Sequence, residues 1–128
     1  MRPSPSRPKS PERLAAEGFG RHGEAVAAWF LRAQLYRIRE RRVKTPVGEI
    51  DLIAERFGTT VFVEVKSRRS RNAEPDALLA VNRERIVRAA QYYVARHPHL
   101  AERPLRFDII LVPPLGWPRH LVNAFDAF

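Results

Sequence analysis

The apolar residues of the chain change their spacing several times, and each change predicts a new element. From about residue 19 to residue 34 they recur at helical spacing, which predicts an amphipathic helix with Glu24 in its first turn. The segment 75–98 repeats this pattern, with Ile86 and Tyr93 on one apolar stripe, an acidic start and a His-Pro stop. Two long helices are therefore expected.

Between and after these helices the pattern is typical of β-strands. Residues 35–44 alternate apolar and charged side chains, and the runs GEIDLIAER and TVFVEVKS are separated by a short turn that contains Gly58. Two further strands are expected in LRFDIILV and HLVNAF, which the breaker segment PPLGWP separates. The order α, β, β, β, α, β, β predicts an α/β fold in which helices flank a mixed central sheet, with a three-strand meander, a crossover helix and further strands.

Charged residues interrupt the two central strand patterns. Because successive side chains of a strand alternate between faces, Glu64 and Lys66 are expected on one face, beside Asp51 of the preceding strand. An unpaired buried charge is costly, so this cluster is either a closed ion pair, chiefly Glu64 with Lys66, or a site for a cation. Two carboxylates beside one ammonium suit a hard divalent cation such as Mg²⁺.

The overall charge favours an acidic partner. The 128-residue chain has a formal net charge of +9 and a pI near 11.1. Cationic clusters gain counterion-release free energy on a phosphate backbone, which makes nucleic acid the leading candidate. Arginine outnumbers lysine 20 to 3, so the lysine at position 66 indicates that a compact, tunable ammonium is preferred there to a planar guanidinium.

Composition also excludes several classes of protein. The chain has no cysteine, which excludes disulfides, thiolate metal sites and cysteine nucleophiles. No apolar run approaches the roughly 18 residues of a membrane span, and no secretory signal is visible, so a cytoplasmic protein without membrane association is expected. Residues 1–17 are rich in proline, serine and arginine and predict a disordered basic arm ahead of a single domain at 18–128. This arm either contacts DNA or is an unselected tail.

Four motifs, GEAVAAWFL, GEIDLIAE, VFVEVKSR and RFDII, occur in the order typical of the YraN-like family, which this chain resembles from about residue 19 to residue 128. That family is similar to the Holliday-junction resolvases, and Asp51 followed by Glu64 and Lys66 resembles the PD-(D/E)xK signature of restriction-endonuclease-like nucleases. The resemblance implies a restriction-endonuclease-like core and a DNA endonuclease, dependent on Mg²⁺ or Mn²⁺, that acts on branched or otherwise structured DNA by metal-activated water attack. Its expected partner is DNA, either branched or single-stranded. A two-fold symmetric junction needs two active sites, so a homodimer is expected.

The resemblance also implies roles for individual residues. Asp51 and Glu64 would bind the metal ion together with the backbone carbonyl of Val65, and Lys66 would align or activate the attacking water. Glu24 matches an acidic residue that related resolvases direct into the site. A carboxylate near a helix N-terminus is also favourable without any such role, so both interpretations of Glu24 stay open.

Nucleic-acid contacts are expected around the site. Three arginines follow it directly and either grip phosphates or belong to a solvated loop: Arg68, Arg69 and Arg71. Where the YraN-like pattern has a lysine near the start of the second long helix, this chain has Asn82, so Arg83 or Arg85 is expected to supply the charge. Asp108 is expected to pair with Arg106 or to cap local structure rather than to bind metal.

Three functions stay open at this point. The first is the endonuclease, and the second is a non-catalytic or residually active nucleic-acid-binding module on the same fold. The third is a protein-interaction domain whose basicity serves only solubility. Cleavage that requires a divalent metal separates the first from the others, and salt-dependent binding of nucleic acid separates the second from the third.

Overall fold

The computed structural model describes residues 11–67 and 75–125, and within these the side chains of 21–67 and 83–125. The described elements are, in chain order, α1 (Pro11–Ala33), β1 (Arg37–Thr45), β2 (Gly48–Arg56), β3 (Thr59–Ser67), α2 (Pro75–Arg96), a 3₁₀ turn (Pro98–Leu100), β4 (Leu105–Val112) and β5 (Arg119–Phe125). The five strands form one mixed sheet in which the spatial order equals the chain order. The predicted order of helices and strands is confirmed.

The first three strands form the predicted antiparallel meander, and β4 lies parallel to β3 after the α2 crossover. Strand β5 pairs antiparallel with β4 at the far edge. The turn between β2 and β3 has two residues, Phe57 and Gly58, with φ of 51° and 78°, which is the backbone of a type I′ hairpin turn. Glycine adopts that conformation without steric cost, which explains the tight hairpin.

The two helices cover opposite faces of the sheet. Val61 and Val63 of β3 pack in a cluster with residues of α1, whereas Phe62 packs with Ile86 and Tyr93 of α2. Strand β3 is therefore buried on both faces, as expected of a central strand with a parallel neighbour. In the described ranges, neither helix is long and apolar enough to cross a membrane.

Helix α1 begins at Pro11, well before residue 19, where the apolar pattern places its start. It therefore includes part of the 1–17 segment predicted to be a disordered arm, of which residues 1–10 lie outside the described residues. Proline is favoured in the first turn of a helix, and good helix formers follow it here. Glu24 lies in the second half of α1, so the prediction that it occupies the first turn is wrong.

Candidate functional site

The candidate site lies where β2 and β3 separate. Their antiparallel ladder runs from the hairpin as far as the pair Leu52 and Val63. Beyond that pair, the backbone N–H of Val65 donates to Asp51 Oδ2 at 2.8 Å. A carboxylate thus occupies the position where a continued ladder would place a backbone carbonyl, and Asp51 is fixed between the two strands.

The side chains of β2 do not alternate regularly around this point. Ile50 and Ile53 both pack in the core cluster under α2, although residues three apart in a regular strand point to opposite faces. Asp51 lies between them and turns towards the backbone of β3. An irregularity of β2 between Ile50 and Ile53, and not alternation alone, therefore brings Asp51 into the site.

Asp51 and Glu64 form a carboxylate pair. Burial, followed by repulsion from Glu64, raises the pKa of Asp51 to about 8. The hydrogen bond from Val65 favours the charged form of Asp51, while the Glu24 carboxylate and a hydrogen bond with Glu64 act in the opposite direction. At neutral pH this pair therefore favours the binding of a proton or a cation.

Lys66 pairs with one of these carboxylates. Its Nζ lies 2.9 Å from Glu64 Oε1, and the two side chains are only 21% and 12% exposed, respectively. The ion pair considered for these residues is therefore present. Because one ammonium neutralises one carboxylate, the pair leaves the charge of Asp51 uncompensated whenever Asp51 is ionised.

Glu24 approaches the site from α1, and an arginine that the sequence did not single out pairs with it. Arg42 of β1 donates from Nε to Glu24 Oε2 in a short contact. The hydrogen bond to Glu24, and smaller attractions to Glu49 and Asp51, raise the pKa of Arg42. Arg42 has a φ of 53°, which is uncommon for a residue other than glycine. Its cation thus belongs to the same charge cluster.

Helix α1 approaches the end of β3 closely at Gly23. A Cβ at this position would lie 2.0 Å from Ser67 Oγ and 3.3 Å from Ser67 Cβ. A larger residue would have to displace the Ser67 side chain or the helix, so glycine permits the close approach of α1 that brings the next residue, Glu24, to the site. The glycine directly before the glutamate in GEAVAAWFL is the sequence signal for this contact.

The predicted nucleic-acid contacts are only partly described. Arg83 and Arg85 of α2 are both exposed. The Arg83 guanidinium lies 5.7 Å from the centre of the Phe125 ring. Arg85 packs against Gly48 at the β1–β2 turn, so closely that a Cβ added to this glycine would lie 2.9 Å from Arg85 Cγ. The remaining candidates lie outside the described residues: the side chain of Asn82, and Arg68, Arg69 and Arg71.

The donor atoms of the site fit a hard divalent cation. Asp51 and Glu64 offer carboxylate oxygens, and Mg²⁺ is commonly held by one or two carboxylates while it keeps several waters. A divalent cation would also relieve the repulsion that raises the Asp51 pKa. Among the described side chains, no three acidic, imidazole or thiol groups are placed to hold a metal ion together. A bound ion would therefore depend on water, backbone or substrate oxygens for its other ligands.

A second aspartate, the fully buried Asp108 of β4, has a different environment from the partly buried Asp51. Arg106 donates from Nε and Nη2 to its two oxygens at 2.8 Å each, His120 Nε2 lies 2.7 Å from Oδ2, and the N–H of Asn123 donates at 2.9 Å. Burial alone would raise its pKa, but the hydrogen bonds from His120, Arg106 and Asn123 lower the pKa of Asp108 to about 2. The expected pairing with Arg106 is confirmed.

Comparison with known proteins assigns the family. The uncharacterised protein family UPF0102 matches residues 23–112, a range that contains every candidate site residue from Glu24 to Arg85. The chain belongs to the UPF0102 family. A UPF0102 protein of Bradyrhizobium sp. strain ORS 278 is 50% identical over 125 residues, which cover 98% of this chain and 89% of the relative.

Other UPF0102 relatives match over similar lengths. The UPF0102 protein of Rhodopseudomonas palustris strain BisA53 is 44% identical over 124 residues, which cover 97% of this chain and 95% of the relative. The UPF0102 protein of Parvibaculum lavamentivorans strain DS-1 is 45% identical over 112 residues, which cover 88% of this chain and 84% of the relative. Membership in UPF0102 confirms the YraN-like resemblance carried by the four sequence motifs.

Proposed function

We propose that this UPF0102 protein is a metal-dependent endonuclease that cleaves branched or otherwise structured DNA, built on a restriction-endonuclease-like core. The observation that carries the proposal is the convergence of Asp51, Glu64 and Lys66 where β2 and β3 separate. The meander, the α2 crossover and the parallel β4 agree with that core. The net charge of +9 supports a phosphate-bearing partner.

Each site residue has a chemical role in this proposal. Asp51 and Glu64 would hold Mg²⁺ or Mn²⁺, with the carbonyl of Val65 as a further ligand. The ion, when bound, would supply Lewis-acid stabilisation of phosphate charge and lower the pKa of a water. Lys66 orients the attacking water and offsets charge that develops on the phosphate, while its contact with Glu64 fixes the ammonium in place. Glu24 adds a carboxylate whose charge Arg42 balances.

A second function, a nucleic-acid-binding module without catalysis, is favoured by the closed ion pairs. Lys66 with Glu64 and Arg42 with Glu24 each match one cation to one carboxylate. With a proton on Asp51, the cluster is then electrically balanced and joins α1, β1, β2 and β3 without a metal ion. The basic surface would still bind nucleic acid through its phosphates.

A cleavage assay distinguishes the two functions. Labelled duplex, flap, four-way junction and single-stranded DNA would be incubated with the protein in Mg²⁺, in Mn²⁺ or in EDTA. We expect metal-dependent cleavage of at least one structured substrate. Asp51→Asn and Glu64→Gln should abolish cleavage while DNA affinity holds or improves, since they remove a metal ligand and a negative charge but keep the side-chain shape.

Two outcomes would contradict the endonuclease. Cleavage that persists in EDTA would exclude the metal-dependent mechanism. Tight DNA binding with no cleavage of any substrate would favour the binding module. The proposed homodimer has a separate test, because a protein that sediments only as a monomer, both alone and on junction DNA, could not present two symmetric sites.

A further inference from the structure

Both tryptophans of the chain lie on the surface and pair with each other. Trp29 of α1 and Trp117 of the β4–β5 loop have ring centroids 6.3 Å apart, with ring planes within 19° of parallel. They are 55% and 76% exposed. Water contact with two indole rings is unfavourable, so a near-parallel pair that faces solvent indicates a flat, apolar ligand surface.

The strand register places Trp117 at the same end of the sheet as the candidate site. Strand β4 runs parallel to β3, with Leu111 opposite Lys66 and Val112 opposite Ser67. The loop that contains Trp117 therefore leaves the sheet just beyond the residues that end the Glu64-x-Lys66 motif. The β2–β3 hairpin, in contrast, lies at the opposite end of β3.

Helix α1 connects Trp29 to the site in a similar way. Trp29 follows Glu24 by five residues, a rise of about 7.5 Å along the helix axis. That rise is comparable to two phosphate spacings of one B-DNA strand, at about 3.4 Å each. Along the helix axis, Trp29 therefore lies only a few nucleotide spacings from Glu24, although five residues also turn the two side chains about 140° apart around the helix.

The surroundings of the pair carry positive charge. The sequence segments 25–39 and 109–125 contain no aspartate and no glutamate. Arg32 lies three residues after Trp29 on the same helix, a spacing at which two side chains are neighbours. Arg119 lies two residues after Trp117. Both arginines are exposed. Aromatic faces beside arginines, on segments without carboxylates, are complementary to nucleobases joined by phosphates.

We propose that Trp29 and Trp117 form a stacking platform for an unpaired nucleobase of the DNA strand that occupies the candidate site. The proposal rests on the proposed function and narrows its substrate class to DNA with a single-stranded or unstacked segment beside the scissile phosphate, such as a flap or a branch point. Bases inside a continuous duplex are already stacked and would reach the indoles only after extrusion, which costs free energy.

Tryptophan fluorescence tests this platform directly, because the chain has no tryptophan outside the pair. The full-length protein, in EDTA so that metal-dependent cleavage is absent, would be titrated with a short oligothymidylate and with a blunt duplex of equal length. Fluorescence anisotropy of the labelled DNA would be recorded in parallel to measure the bound fraction. We expect the single strand to quench tryptophan emission strongly, and the duplex to quench it little at equal bound fraction.

Substitutions distinguish stacking from general electrostatic attraction. Trp29→Ala and Trp117→Ala should each weaken single-strand affinity at least about fivefold, the lower end of the effect of removing one base–aromatic stack. The salt dependence should not change, since no phosphate contact is lost. Phe57→Ala is the matched control: it removes a ring that is 87% exposed, but from the β2–β3 hairpin, and should leave affinity unchanged.

Each outcome has a defined meaning. Binding without quenching, or tryptophan variants that bind as tightly as Phe57→Ala, would overturn the platform and leave the proposed endonuclease intact. Absence of any DNA binding would contradict the proposed function and the platform together. Alanine variants that bind DNA normally but sediment as monomers, where the parent protein sediments as a dimer, would overturn the platform and show that the pair joins two copies of the chain.

Discussion

Two aspartates lie on the strands that flank β3, and their environments are opposite. Asp108 is fully buried and receives hydrogen bonds from Arg106, His120 and the backbone of Asn123, which hold its pKa at about 2. Asp51 receives one hydrogen bond from a backbone N–H and lies beside a second carboxylate, and its pKa is about 8. Burial is common to both, so the neighbouring groups decide the sign of the shift.

This difference separates a structural carboxylate from one that is available to a ligand. The oxygens of Asp108 are occupied by donors that belong to the fold itself, so a metal ion would have to displace Arg106 or His120. When Asp51 is ionised, the Asp51–Glu64 pair carries two negative charges, of which the Lys66 ammonium neutralises one. Perturbed carboxylates of the second kind are the ones that concentrate at functional sites.

The largest expected effect is on the free energy of unfolding, when each aspartate is replaced by asparagine, its neutral isostere. Asp108→Asn leaves the Arg106 cation without its partner and should lower the free energy of unfolding by about 3 kcal/mol, near the lower end for a broken buried pair because Arg106 is partly exposed. Asp51→Asn should not destabilise the protein at pH 7. Urea unfolding of both variants measures the difference. Equal losses would mean that the Asp51 cluster is also a structural ion-pair network.

The substitution Lys66→Arg tests whether the cluster of Asp51, Glu64 and Lys66 is catalytic. It keeps the charge that the Glu64 ion pair needs, but a planar guanidinium cannot occupy the same point, and it does not lose its proton at neutral pH. We expect normal folding and DNA affinity, with cleavage at least about a hundredfold slower, as is common when a reacting group is misplaced. Lys44→Arg, on exposed β1, is the control. Parental cleavage by Lys66→Arg would refute the role of Lys66.

The contributions of the two carboxylates to stability should change with pH in opposite directions. Asp51 has a folded pKa of about 8 against an ordinary 3.8, so its contribution is fully present below about pH 4 and is lost as the pH rises through 8. Asp108, with a folded pKa of about 2, contributes above about pH 4 and loses that contribution as the pH falls through 2.

Unfolding measured from pH 4 to pH 9 tests the first of these windows. Relative to Asp51→Asn, the parent protein should lose unfolding free energy steadily across this range, because the unfolded chain releases the Asp51 proton at a lower pH than the folded protein does. Mg²⁺ should reduce the loss, because a bound cation favours the ionised pair. If the unfolding free energies of the two proteins changed in parallel with pH, Asp51 would have an ordinary pKa.

The smallest expected effect is on DNA affinity, and it concerns the arginines that follow the cluster of Asp51, Glu64 and Lys66 in the sequence. If Arg68, Arg69 and Arg71 contact phosphates, each change to glutamine should reduce the slope of log affinity against log salt by about one unit. Arg103→Gln is the control, because Arg103 pairs with Glu55 within the fold. Salt titrations of DNA binding give these slopes. Unchanged slopes for all three arginines would assign them to a solvated loop.

The sequence predicted the sheet and the centre of the site for the same physical reason. Strands that are apolar or alternating, and bounded by Gly58 or by PPLGWP, leave few other conformations. Charges inside such strands are costly, so Asp51, Glu64 and Lys66 stand out from their apolar neighbours and require a partner or a ligand. Charged residues within a buried strand can therefore be recognised from the sequence alone.

The missed features depend on conformation or on distant contacts. Nothing in the run RERRVK distinguishes Arg42, whose positive φ accompanies its contact with Glu24. The start of α1 at Pro11 was obscured because prolines mark both coil and the first turn of a helix. The pairing of Trp29 with Trp117 joins elements from opposite ends of the chain, which local periodicity cannot reveal.

The parallel pairing of β3 with β4 also affects how the chain folds. The meander pairs strands that are close in sequence, whereas β3 meets β4 only after the α2 crossover has been synthesised, with Thr60 opposite Leu105. Closing a connection of that length is slow, so on the ribosome β3 remains for a time an unpaired edge with apolar side chains along it. Aggregation during overproduction would then start from this nascent edge, even when the completed fold is stable.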